Sequence, residues 1–264
     1  MITLNDLDSR APFFAQLNEA GDEPVTIVNT FLAPEGGMDD VFEIWRQDSE
    51  IMKSKPGFIS AQLYRGTAGS RVLTNVAVWE SASALNAAFL GPEFQQLLPS
   101  YPDGSVAYPH LVRPVAVPGI CIGVSSNSEP AVSDSLHPAS EPPIEFFELT
   151  PELPAVEQLK ATGSPFLLLD ILIAPDGAVE QAIAAYEKIA AFMKKKPGFI
   201  QAQLYRGTSG SNVLINLAVW ESGRDLFEAV ADPSFATITA AYPTGSRCTR
   251  HALQRAAVPG VCIA

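Results

Sequence analysis

Apolar positions along this chain fall into strand-like and helix-like runs, and the whole succession occurs twice. Residues 25–33 (VTIVNTFLA) and 166–174 (FLLLDILIA) are short and almost continuously apolar, the pattern of strands covered on both faces. Pro-acid-Gly turns at 34–36 and 175–177 follow. Apolar residues then recur with helical period, at Met38, Val41, Phe42, Trp45 and Met52 in one copy and at Val179, Ala182, Ile183, Tyr186 and Met193 in the other. Lys53, Lys55 and residues 194–196 close these stripes, where cations complement the negative end of a helix. Residues 58–65 and 72–79, with a glycine-rich turn at 66–70 between them, predict a hairpin that residues 199–220 repeat. A second helical region starts at Ser81 and Ser222 as N-caps, breaks at Gly91-Pro92 and Asp232-Pro233, and resumes. A last strand contains residues 108–112 and 249–253, and each copy ends on VPGICI or VPGVCI. A short helix closed by glycine is predicted ahead of each copy, within residues 7–21 and 157–163. The order is β-α-β-β-α-β, the ferredoxin-like plan.

Residues 55–81 return at 196–222, shifted by 141, with 22 of 27 positions identical. Identity at that level is a tandem duplication. The predicted organisation is one domain over 1–122, a Pro-, Ser- and acid-rich linker over 123–143, and a second domain over 144–264. An antiparallel sheet with helices on one face leaves the other face bare and apolar. Two such sheets bury those faces against each other, so the expected fold class is α+β: two tandem ferredoxin-like domains forming an intramolecular dimeric α+β barrel. Such a chain is a covalent pseudo-dimer, expected to be a monomer in solution.

Composition narrows the function. The chain is 47% apolar and 17% charged, enough for packed cores. Its net charge of −12 argues against nucleic acid and anionic membranes as partners. No apolar run approaches the ~20 residues that span a bilayer, and residues 1–16 do not read as a signal peptide. Three cysteines without a CxxC spacing predict neither disulfides nor zinc, and fit a reducing cytoplasm. Neither a dinucleotide fingerprint nor a P-loop is present, so the hairpin glycines are a turn and no cofactor or metal is expected.

Strand geometry suggests a pocket. Asn75, Ala77 and Trp79 alternate onto one face of their strand, and Asn216, Ala218 and Trp220 repeat them. The alanine leaves room, the indole offers a flat wall and the amide can donate to a developing oxyanion. Gln62 with Tyr64, and Gln203 with Tyr205, share a face of the preceding strand. His110 and His251 are equivalents on the last strand and are candidates for proton transfer near neutral pH. Structural readings stand beside each of these: tryptophans as core aromatics, asparagines as members of a buried hydrogen-bond network, strand histidines as packing residues. Cys121 and Cys262 read as small buried hydrophobes, and His137 falls in the linker.

The stretch PGFISAQLYR, followed by GS and then NVAVWES, resembles the antibiotic biosynthesis monooxygenase (ABM) domain, and the resemblance covers most of both repeats. Family members include cofactor-free oxygenases that convert aromatic polyketide anthrones to quinones, and relatives that degrade haem. The resemblance implies a hydrophobic phenolic or anthrone-like polyketide substrate oxidised by O2 without a cofactor. It matches Asn29 to a strand-one asparagine of such relatives, and assigns oxyanion contacts to Asn29, Asn75 and Asn216 and the pocket wall to Trp79 and Trp220. Tyr64, Tyr205, His110 and His251 are candidates for proton transfer, with Gln62 and Gln203 as further pocket candidates. The haem ligand histidine of the relatives is missing from 81–98 and 222–239, and their helical tyrosine position holds Leu85 and Leu226, with no matching arginine. Asp170 stands where the first copy has Asn29, which predicts unequal pockets: the preferred reading has the first working and the second silent, and the alternative makes Asp170 a general base in a working second pocket. The alternatives are a cyclase or isomerase working without O2, and a non-catalytic binder of a hydrophobic ligand or haem.

Overall fold

A computed structural model describes residues 1–19, 21–123, 143–160 and 163–262. Most of the predicted linker, 124–142 with His137, lies outside the described residues. The chain forms two compact units. One consists of Met1–Arg113, Gly207–Ser211 and Leu253–Ala264, the other of Pro114–Arg206 and Asn212–Ala252. The closing segment of each repeat therefore belongs to the unit built mostly from the other repeat.

The first unit runs β1 (Thr3–Leu4), α1 (Phe13–Leu17), β2 (Val25–Leu32), α2 (Met38–Lys53), β3 (Phe58–Gly66), β4 (Val72–Trp79), α3 (Ala82–Phe89), α4 (Pro92–Leu97) and β5 (Val106–Val115), whose last two residues pass to the other unit. Its sheet order is β1-β5-β2-β4-β3, antiparallel except for β1 on β5. Taken from the first long strand, that order is 4-1-3-2, as the ferredoxin-like plan requires. Residues Leu253–Ala256 add an antiparallel edge to β3, and Val258 and Cys262 pack into this unit's core.

The second unit repeats the plan with β6 (Ile144–Phe146), α5 (Ala155–Lys160), β7 (Phe166–Ile173), α6 (Val179–Met193), β8 (Phe199–Gly207), β9 (Val213–Trp220), α7 (Gly223–Val230), α8 (Pro233–Thr239) and β10 (Ser246–Ala256). Its order is β6-β10-β7-β9-β8. The short strands β1 and β6, each parallel to its neighbour, carry too few residues for any periodicity and are additions to the expected plan.

The local chemistry explains the boundaries. Ser81 Oγ accepts from Ala84 N–H at 3.1 Å, and Ser222 Oγ from Asp225 N–H at 3.1 Å, which caps α3 and α7 as expected. Pro92 and Pro233 each occupy a first helical turn, where the missing N–H costs nothing. Gly57 has φ +83°, and a Cβ there would stand 2.5 Å from the Ala84 Cβ, so only glycine allows β3 to start against α3. Part of the identity between repeats is thus required by the fold. Among the described residues no helix is long and apolar enough to cross a membrane, and no group of three or more His, Cys, Asp or Glu is placed to hold a metal ion.

Candidate active site

The sheet sets side chains from three strands side by side. In the first unit Asn29 of β2 pairs in register with Asn75 of β4 and with Pro109 of β5. In the second, Asp170 of β7 pairs with Asn216 of β9, and Arg250 of β10 reaches the same place. Each row lines a cavity between the sheet and its own helices.

The second unit's cavity measures about 410 Å³. Its walls are largely apolar, with Trp220 from the sheet and Met193, Leu226 and Phe235 supplied by the helices. Trp220 is 1% exposed and meets Phe199 edge to face at 5.4 Å. A single strip of polar groups crosses this lining. Tyr186 Oη–H donates to Asn216 Oδ1 at 2.9 Å, Asn216 Nδ2–H donates to Asp170 Oδ2 at 3.1 Å, and Arg250 Nε–H donates to Asp170 Oδ1 at 3.1 Å. Burial disfavours the Arg250 cation, but the Asp170 carboxylate outweighs that and keeps the guanidinium charged. Burial raises the Tyr186 and Tyr242 hydroxyls far above the ordinary phenol range and pushes the Cys248 thiol up to about 12. All three stay neutral.

The first unit's cavity is only about 70 Å³. Residues at equivalent positions explain the difference. Phe31, Trp45 and Phe89 stand where the second unit has Leu172, Tyr186 and Val230, and the larger rings occupy the space. Trp79, 1% exposed, lines what remains together with Asn29 and Asn75, whose Oδ1 atoms are buried without hydrogen-bond partners. A different polar pair sits here: Tyr101 Oη–H donates to Asp48 at 2.5 Å, and burial pushes the Asp48 carboxyl up to about 8 despite that bond.

The remaining candidates lie off both cavities. Gln203 fixes a neighbouring segment, donating to the carbonyls of Ile122 (2.9 Å) and Val115 (3.2 Å) and accepting from Ile122 N–H. Gln62 donates to Leu63 O at 2.9 Å and to Ala256 O at 3.4 Å. Tyr64 and Tyr205 lie on the same side of their strands as these glutamines and line neither cavity. His110 and His251 alternate with the cavity-lining Pro109 and Arg250 and so point away. Gln16 Nε2–H donates to His110 Nδ1 at 3.0 Å, which leaves the proton on Nε2, and this donates to Ser211 Oγ at 2.9 Å. Gln158 addresses His251 Nδ1 in the same way at 3.3 Å. Burial lowers both imidazoles to about 4, so they are neutral clamps that tie α1 and α5 to the last strands.

Arg250, Tyr186, Tyr242 and Asp48 are cavity residues that reading the sequence passed over. The signal for Arg250, Tyr186 and Asp48 lay in positions that differ between repeats, since Arg250 replaces Pro109 in the same row where Asp170 replaces Asn29, whereas Tyr242 repeats Tyr101 and carries no such mark. Tyr186 and Asp48 were inside the apolar stripes or among ordinary helix acids.

Comparison with known proteins places the chain. No curated protein sequence matches it. Among solved structures it is similar to an anthrone oxidase-like protein at 16% identity, with TM-score 0.57 over 92% of this chain and 97% of that one. A candidate monooxygenase from Fusobacterium nucleatum is similar at 9% identity, with TM-score 0.50 over 89% and 94%. SnoaB, a cofactor-independent oxygenase from Streptomyces nogalater, is 25% identical over 37% of this chain and 99% of its own, with TM-score 0.33. At such identities the first two likenesses speak for the fold. The sequence model of the family described as antibiotic biosynthesis monooxygenase matches residues 24–99 and again 172–241, more than half of the chain. The chain belongs to the antibiotic biosynthesis monooxygenase family, present as two tandem copies.

Proposed function

We propose that this protein is a cofactor-independent monooxygenase acting with O2 on a hydrophobic, phenolic, anthrone-like polyketide, and that the cavity of the second unit is its active site. The observation that carries this reading is the 410 Å³ apolar cavity crossed by one polar strip, in a chain of a monooxygenase family. In this chemistry the substrate supplies the electrons. Loss of a proton gives an enolate or phenolate that reduces O2; one oxygen atom becomes the new carbonyl, and the other leaves as water with the two hydrogens of the oxidised methylene. The protein has three tasks: to strip water from the substrate, to hold its oxyanion and to keep the ring against a flat wall. Trp220 supplies the wall and the Asn216 amide the oxyanion contact. Asp170, at the centre of the strip, orients both Asn216 and Arg250.

On this reading Asn29, Asn75 and Trp79 belong to a filled counterpart and serve the fold of the first unit. This reverses the ranking that the Asn29 amide suggests in the sequence, because an oxyanion donor without space for a ligand has nothing to contact. The test is O2 uptake with a hydroxyanthrone, using the full chain without added flavin or metal. The expected result is uptake well above autoxidation together with quinone formation. Binding of the anthrone without uptake would replace this reading with a cyclase, an isomerase or a binding protein.

A further inference from the structure

We infer that Arg250 orients the ligand in the second unit's cavity, and that this ligand carries an ionised oxygen on a flat, otherwise apolar frame. The inference rests on that cavity being the binding site and adds the charge of what enters it. Arg250 and Asp170 are the only charged residues among the described residues that line the cavity. The first unit builds the same sheet with Asn29 and Pro109 at these two positions, so the fold does not require the pair. Both charges occur in the unit that has room for a ligand, and neither in the one that has not.

Geometry gives the direction. Asp170 divides its two oxygens between Arg250 Nε and Asn216 Nδ2, at 3.1 Å each. The Arg250 guanidinium also lies over the Phe146 ring, 4.7 Å from its centroid, and Phe146 itself lines the cavity. The guanidinium is therefore held through Nε and through one face. Its terminal N–H donors form a planar fork suited to an oxyanion, and the Arg250 side chain is still 29% accessible. Of the neighbouring groups, the Tyr186 hydroxyl is engaged by Asn216, burial keeps Tyr242 neutral, and Cys248, a neutral thiol, makes only a weak hydrogen bond with the guanidinium, which an anionic oxygen outcompetes. A cationic ligand would face the guanidinium, and a neutral one would leave its terminal donors unsatisfied once water is excluded. Phenolate, enolate and carboxylate share the chemistry that satisfies them.

The experiment is equilibrium binding to the full chain, using anthracene-2-carboxylate, its uncharged carboxamide and a hydroxyanthraquinone titrated through the ionisation of its phenol. The wild type is expected to prefer the carboxylate over the carboxamide by on the order of ten-fold, as a charge-assisted hydrogen bond does over a neutral one. Arg250→Met should erase the preference and leave carboxamide affinity within a few-fold; if that variant does not fold, Arg250→Gln carries the same expectation. Asp170→Asn retains an acceptor for Nε and removes the competing negative charge, so it should widen the preference. A phenol that ionises at lower pH when bound to wild type, but not to Arg250→Met, extends the site to phenolates; an unshifted phenol restricts it to carboxylates. Equal affinity for the two anthracenes, a preference that survives Arg250→Met, or an Asp170→Asn variant that loses the preference would each overturn the assignment. Carboxamide binding without carboxylate preference defeats this inference alone. Failure of every ligand to bind defeats the cavity reading beneath it.

Discussion

The two asparagines that the repeats share, Asn75 and Asn216, give the sharpest test of which cavity works, because their surroundings differ while their strand positions do not. Asn216 is the middle of a relay, accepting from Tyr186 at 2.9 Å and donating to Asp170 at 3.1 Å, on the wall of a 410 Å³ cavity. Asn75 borders about 70 Å³, and its Oδ1 has no partner. Replacing Asn216 by alanine removes the proposed oxyanion donor, a change that typically costs about 10²–10³ in rate. It also leaves the Tyr186 hydroxyl and one Asp170 oxygen short of a partner, which costs about 1–3 kcal/mol of stability. For a chain of this size that lowers the melting temperature by roughly 2–4 °C per kcal/mol. Replacing Asn75 by alanine removes an amide whose oxygen was already unsatisfied, so rate and melting temperature should both stay near wild type. Steady-state O2 consumption and thermal melts of the two variants read all four quantities. Asn75→Ala losing turnover while Asn216→Ala retains it within three-fold would place the chemistry in the first unit and refute the reasoning from cavity volume.

Two pH effects follow from buried groups away from the proposed chemistry. Asp48 titrates at about 8 in the fold against 3.8 in the free chain, so the folded state keeps a proton that the unfolded state has released. Its contribution to stability is complete below about pH 4 and is lost as pH rises towards 8; Asp48→Asn should therefore raise the melting temperature more at pH 8 than at pH 5, and equal gains at both would refute this. His251 is lowered to about 4 from 6.5, so the unfolded chain takes up a proton first and stability falls as pH drops through that interval. His251→Gln should flatten that acid limb and leave turnover at neutral pH within about three-fold, whereas a large loss of turnover with unchanged binding would make the imidazole part of the chemistry.

The fold was legible because its signals are local and occur twice. Helical and strand periods, serine caps and Pro-Gly breaks recur in both copies, and each duplicated signal supports the other. The strand parity of Asn75, Ala77 and Trp79 was equally readable, and all three line the first unit's cavity. Parity does not say which face is covered, however. Gln62 and Tyr64 share a face by the same rule, but theirs is the one turned away from the cavity, and Ala61 beside them faces it. His110 and His251 suffered the converse error, since the residues before them are the ones that look inward. Volume was beyond reach altogether. It depends on whether Phe31, Trp45 and Phe89 or their smaller counterparts Leu172, Tyr186 and Val230 fill the layer between sheet and helices, and each alternative satisfies the same apolar pattern. Arg250 was hidden by weighting what the copies share, although a site that has diverged is marked by what they do not.

That divergence has an energetic logic. In point-mutant series an unfilled interior volume destabilises by about 24 cal/mol per Å³. Applied as an upper bound, that figure makes the volume separating about 70 from about 410 Å³ worth several kcal/mol, a large share of the total stability of an ordinary domain. A binding cavity also carries a polar strip whose members lose water and must satisfy one another, as Tyr186, Asn216, Asp170 and Arg250 do. When a single sequence forms both halves of a dimer, each half bears these costs. A duplicated chain can separate the tasks. Trp45 and its aromatic neighbours restore packing in one unit, while the second keeps an open layer and gains a charge pair that the fold does not need. The PGF turn, the hairpin and the serine cap that serve both units stay alike, and the cavity rows of strand and helix drift apart.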